Sequence, residues 1–153
     1  MTHSPLNNAR CTLQISLHAI KENYLSLKEQ CPNTEVSAVV KANAYGLGAR
    51  HIAPVLKRSG CKHFFVSSCD EGVDLRNTLG YEDINIYVLS GVFIGELETF
   101  TEYALIPTLN HLSQIEIWQE YACNLNHQLP CIIHLDTGMH RLGLPHTEIN
   151  ALD

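Results

Sequence analysis

The sequence predicts an α/β fold built on a parallel sheet. Two observations predict it. Short apolar, β-branched runs recur about every 20 to 27 residues after residue 35, with helix-like stretches between them, the rhythm of βαβ units. The residues with chemical reach also fall just past the ends of those runs: Lys41, Ser67, Ser68, Ser90 and Asp136. In a βα barrel, chemistry is built at that end of the strands.

Taken in order, residues 11–17 alternate cleanly, with Leu13, Ile15 and Leu17 on one face, and predict a half-buried strand. Leu17, Ile20, Tyr24 and Leu27 then follow helical spacing, and Pro32 marks the stop. Val36 to Val40 is a continuous apolar strand that ends at Lys41. Ala49, Ile52, Ala53 and Leu56 form a second helical stripe, in which Pro54 is tolerated near the helix start or at a kink. Lys62 to Ser67 is the next strand. Ser68 and Glu71 have the spacing of a capping box for a helix carrying Val73, Leu75 and Leu79. Ile84 to Leu89 is a strand, Glu96 to Phe100 a short helix, and Ala104 to Ile106 a short strand with Pro107 close behind. Leu112, Ile115, Gln119 and Ala122 share a helix face, and Cys131 to Leu135 is a fifth strand in the series, followed by DTGMHRLG.

Composition narrows the function. The chain has 153 residues, enough for one domain with a real core. A net charge of −6 argues against a general nucleic-acid role. No apolar run approaches the ~20 residues of a membrane span, and the first residues lack the basic-then-apolar order of a signal peptide, so a cytoplasmic protein is the default. The six cysteines contain no C-x-x-C pair and read as reduced thiols rather than a zinc ribbon. His134, Asp136, His140 and His146 have no spacing that supports a metal site.

Lys41 stands out because a lysine that ends a buried strand either snorkels to water or does chemistry. A desolvated lysine is a competent Schiff-base amine. The stretch VKANAYGLG at 40–48 closely resembles the cofactor-lysine motif of the alanine racemases, which use pyridoxal 5′-phosphate (PLP). FFVSSCDEGVDLR, LIPTLNHLSQIEIW and HLDTGMHRLG are similar to later segments of the same family. The resemblance implies that Lys41 carries PLP covalently and acts in catalysis, that Tyr45 hydrogen-bonds the cofactor phosphate, and that Arg141 contacts the substrate carboxylate. It also implies a (β/α)8 PLP-binding barrel, of which about the first five βα units are present, and a reaction that interconverts L- and D-alanine for cell-wall synthesis. A homodimer is expected, in which the partner supplies the second acid–base group.

Three positions depart from the family pattern. Leu47 replaces its histidine, His140 replaces the glycine before the arginine, and His134 replaces a lysine that is often carbamylated. Histidine supplies no such anion, so Arg141 is expected to find another partner, such as Asp136, a bound chloride or water. Residues 1–17 are expected to hold an opening strand that joins a C-terminal β domain absent from this chain, and residues 18–153 an incomplete N-terminal part of the barrel. Such a chain is expected to have no useful racemase activity alone. Two alternatives share the lysine: a single-domain PLP-binding or homeostasis protein, and an inactive fragment.

Overall fold

A computed structural model describes residues 11–149 and 152. Five strands, β1 (Ala38–Val39), β2 (His63–Val66), β3 (Asn85–Val88), β4 (Leu105–Leu109) and β5 (Ile132–Ile133), form one sheet in the order β1-β2-β3-β4-β5. Every adjacent pair is parallel. Each strand therefore pairs with its predecessor in the chain, which requires a helical crossover between neighbours. Those crossovers are α3 (Ala49–Arg58), α4 (Cys69–Leu79), α5 (Leu97–Glu102) and α6 (Leu112–Asn124), while α1 (Leu17–Gln30) precedes the sheet. A single turn, α2 (Lys41–Tyr45), follows β1, and a short α7 (His146–Ile149) follows β5.

The helix-facing side of the sheet is the core. Phe64 and Val66 of β2 and Ile86 and Val88 of β3 are buried, with Ile52 and Leu56 of α3 and Leu75 and Leu79 of α4 in the same cluster. Burial alternates along β2 and β3, so Phe65 and Tyr87 sit on the opposite face, stacked with ring centroids 4.7 Å apart. Phe100 and Trp118 meet edge-on at 5.8 Å and close the core beneath α5 and α6.

Three sequence expectations change. Residues 11–16 form no strand, and Leu17 is already the first residue of α1. An alternating segment makes a ladder only beside a partner, and among the described residues none pairs with it; residues 1–10 lie outside those described. The hydroxyl of Ser16 instead accepts from the backbone N–H of Ala19 at 3.2 Å and starts the helix. The strand expected at 104–106 runs on through Pro107 to Leu109. Pro107 is the last residue registered against β3, and β5 begins to pair only at Thr108, so the missing donor falls where one ladder hands over to the next. Finally, Pro54 lies in the second turn of α3 rather than at its start, where it leaves the carbonyl of exposed Arg50 without its helical donor.

Arg76 fastens the far end of α4. Its side chain is 1% exposed, and its guanidinium donates to four backbone carbonyls: Nε to Tyr103 at 2.8 Å, Nη1 to Gly80 at 3.0 Å and Ile84 at 3.1 Å, and Nη2 to Ala104 at 2.7 Å. Tyr81 covers it, with the ring centroid 5.1 Å from the guanidinium carbon. The fork thus closes the carbonyls beyond α4 and α5 and those leading into β3. Replacing Arg76 with Met keeps the stem and leaves these carbonyls without a donor. We expect Arg76→Met to lose about 3 kcal/mol or more, read as a lower urea midpoint with an unchanged slope; a change under about 0.5 kcal/mol would mean that water satisfies the carbonyls equally well.

Candidate active site

The site begins where β1 ends. Val40 is buried and still bonded to the sheet through its N–H to Phe65 O at 2.9 Å. Lys41 follows, and the chain then winds left-handed: Ala42, Asn43, Ala44 and Tyr45 have φ of 49°, 54°, 54° and 54°. Such a conformation costs L-residues about 1–2 kcal/mol each, so four in succession must be held. They are held by hydrogen bonds from Ala44 N to Val40 O (2.8 Å), Gly46 N to Ala42 O (2.9 Å) and Gly48 N to Asn43 O (2.9 Å). The Asn43 side chain also accepts from Ala49 N at 2.9 Å, at the start of α3. Gly46, at φ 84°, then releases the turn at a position suited to glycine.

Glu71 in the first turn of α4 reaches across to this turn. Its Oε1 accepts from Ala42 N at 2.7 Å and its Oε2 from Ser67 N at 2.8 Å. Only half of the expected capping box is present: Ser68 Oγ accepts from Glu71 N at 3.4 Å, while the carboxylate goes to the strand ends instead of back to Ser68.

The second part of the site follows β5. The Leu144 N–H donates to His134 O at 2.7 Å and the Asp136 N–H to Leu144 O at 2.9 Å, so the segment between them is a closed loop anchored by buried Leu144. Asp136 shapes the loop. Its Oδ1 accepts from Gly138 N at 2.9 Å and His140 N at 3.1 Å, and its Oδ2 lies 3.1 Å from His140 Nδ1. His140 sits at φ 54°, a left-handed position that suits glycine and that these two contacts hold for a histidine. Asp136 is therefore engaged by His140, and among the described residues no carboxylate pairs with Arg141. Of the partners expected for Arg141, Asp136 is thus removed, because His140 takes it.

A cavity of about 600 Å³ brings the two parts together, lined by Lys41, Ser67, Ser90, His134, Asp136 and Arg141 among others. The sequence-predicted Lys41 and Arg141 thus share one space, together with Ser67, Ser90 and Asp136 from past the strand ends; Ser68 caps α4 instead. Tyr45 does not line it and is 64% exposed. The sequence reading missed the support beneath His134. Asn110 Nδ2 donates to the carbonyls of Leu89 and Thr108, both at 2.9 Å, so its Oδ1 is the accepting end. His134 Nδ1 lies 2.8 Å from that oxygen, which places the proton of the neutral ring on Nδ1. Gln114 in turn accepts from Asn110 N at 2.9 Å and donates to Ser90 O at 3.0 Å. Gly91 admits it, because a Cβ there would lie 2.1 Å from the Gln114 side-chain oxygen. A polar residue just past a strand with a glutamine four residues later was the available signal.

A family model described as alanine racemase, N-terminal domain, matches residues 15–152. The chain belongs to the alanine racemase family. An alanine racemase of Rickettsia rickettsii is 52% identical over 142 residues, which are 93% of this chain and 40% of that protein. The crystal structure of an alanine racemase from Bartonella henselae with covalently bound pyridoxal phosphate matches with a TM-score of 0.86 at 43% identity, covering 90% of this chain and 40% of that one. The biosynthetic alanine racemase of Pseudomonas aeruginosa matches with a TM-score of 0.77 at 32% identity, over 88% of this chain and 37% of that one. The chain spans about 40% of the length of these relatives. The five βα units are thus a partial barrel of the (β/α)8 type found in this family.

The Asp136 loop makes a pH prediction for this racemase-family chain. The backbone N–H groups of Gly138 and His140 hold the Asp136 carboxyl below its ordinary 3.8. A depressed carboxylate stabilises the fold above the unfolded value, and that contribution is lost as pH falls through the folded one. Asp136→Asn is therefore expected to be less stable than wild type at pH 7, with the difference closing below pH 3.8. Urea denaturation at pH 7 and pH 3 checks this; a difference that does not depend on pH would assign the loop to hydrogen bonding alone.

Proposed function

We propose that this chain is the lysine-bearing, PLP-binding part of an alanine racemase that interconverts L- and D-alanine and feeds cell-wall synthesis. The observation that carries the reading is that Lys41 and Arg141, a hundred residues apart in the chain, line one cavity. The donor set fits the cofactor. An amine without a carboxylate partner among the described residues suits an aldehyde, and the hydroxyls of Ser67 and Ser90 with the Arg141 guanidinium suit anionic groups. The cavity volume falls in the range of small-molecule sites. When bound, PLP supplies an electron sink that acidifies the proton beside the substrate's amino group.

The chain's own residues do the rest. Lys41 Nζ is the base that takes or returns the α-proton on one face. Arg141 grips the substrate carboxylate with its planar fork; the role of Tyr45 at the cofactor phosphate rests on the family motif alone, since its side chain lies outside this cavity. The opposite face needs a second acid–base group, which this reading assigns to a partner subunit in a homodimer. Among the described residues no helix is long and apolar enough to cross a membrane. All six cysteines are free, which supports a reducing cytoplasmic setting.

Incubation with PLP, borohydride reduction and peptide mapping test the reading. Pyridoxyl label on Lys41, lost in Lys41→Ala, is expected; label on Lys57 or Lys62 instead would overturn it. In the full-length protein, Lys41→Ala should lower racemisation at least about a thousandfold, followed by chiral assay.

His134 adds a second test. A histidine takes the place of the carbamylated lysine, so racemisation by the full-length protein should be unchanged when bicarbonate is stripped and restored. A strong bicarbonate requirement would show that another residue is carbamylated.

A further inference from the structure

We propose that Glu71 is a positioning residue that holds Lys41 at the cavity through the backbone; the inference rests on the reading of Lys41 as the PLP-bearing amine. An ionised carboxylate is purely an acceptor, and both oxygens of Glu71 are used on backbone N–H groups outside its own helix, at 2.7 and 2.8 Å. The two donors sit at the carboxyl ends of neighbouring strands. One is Ser67, just past β2, itself a lining residue of the cavity. The other is Ala42, whose N–H belongs to the peptide unit that leaves Lys41. Because that unit is planar, fixing its N–H direction fixes the ψ angle of Lys41 and with it the base from which the side chain projects.

The position of this bond matters because Ala42 is the first of the four left-handed residues. The other hydrogen bonds of the turn run within it or back to Val40 and forward to α3. Glu71 alone, among the described residues, ties the turn to the neighbouring βα unit through a side chain. A glutamate serving only its own helix would return to Ser68 N, three residues back. Its departure from that geometry is what sets the relative placement of Lys41 and Ser67. Charge-assisted bonds of this length are the strong kind, so the clamp suits a strained turn that must stay in one conformation while its lysine works.

The experiment compares wild type with Glu71→Ala and Glu71→Gln by two readouts. The first is amide hydrogen exchange of the peptide spanning 41–48, with the peptide spanning β3 as an internal control. The second is the fraction of Lys41 trapped by borohydride at limiting PLP. In Glu71→Ala, exchange at 42–48 is expected to speed up about tenfold or more while β3 stays protected, and trapping on Lys41 is expected to fall about tenfold. Glu71→Gln keeps one accepting oxygen, so it should fall between; it carries the test if the alanine variant does not fold. Unchanged exchange at 42–48, an equal rise over 42–48 and β3, or wild-type trapping despite local loosening would each overturn the proposal. Failure of wild type to trap PLP on Lys41 would overturn both the functional reading and the positioning role built on it. In that case the exchange readout would still report whether Glu71 holds the turn.

Discussion

The structure depends on a buried guanidinium that has no carboxylate partner among the described residues. Arg76 meets four carbonyls at the point where α4 ends, α5 ends and β3 begins. Burying a charge is costly unless its hydrogen bonds are made, and here the charge is spread over carbonyl dipoles from three segments. The consequence reaches the other end of the helix. With its far end fixed, α4 becomes a rigid arm, and its first turn delivers Ser68 as a cap and Glu71 as a clamp. A single helix therefore couples the base of the sheet to the lip of the cavity.

The two parts of the site solve the same backbone problem by similar means. After β1, four residues are wound left-handed; after β5, His140 is the one non-glycine residue with positive φ among the described residues. In both places a carboxylate collects backbone N–H groups: Glu71 from Ala42 and Ser67, Asp136 from Gly138 and His140. Strain of this kind persists only where the surroundings over-determine the local conformation. The two carboxylates are acceptors turned toward backbone, which leaves Lys41 and Arg141 as the cationic groups of the cavity.

The legible part of the fold was the part governed by local pattern. The strands at 38–39, 63–66, 85–88 and 132–133 follow from apolar, β-branched runs and the long helices from apolar periodicity; at 63–66 and 85–88 every second residue is buried. The strand expected at 11–17 failed because alternation reports a half-covered face, and a strand also needs a neighbour. Pro107 hid the second half of β4, since whether a missing N–H matters depends on where the flanking strand starts to pair. Lys41 and Arg141 were legible as motif residues. Glu71 was visible as a cap and as part of the family-like segment FFVSSCDEGVDLR, but nothing in its own neighbourhood in the chain says that Ala42, 29 residues earlier, needs an acceptor. The Asn110–Gln114 support under His134 left only its four-residue spacing in the sequence, because its contacts to the carbonyls of Leu89 and Ser90 lie more than twenty residues away.

The order of the strands has one further consequence. Since β1 to β5 lie side by side in the order in which they occur along the chain, each of β2 to β5 finds its docking edge already made by residues synthesised before it. Loop closures between neighbours stay short, so the entropic barrier to each addition is small. Such a sheet can grow one βα unit at a time as the polypeptide leaves the ribosome. The motif carrying Lys41 is fastened to α4 early in that growth, well before the Arg141 loop emerges. Among the described residues, the arrival of β5 beside β4 thus brings Arg141 into the cavity lining after Lys41 already has its place.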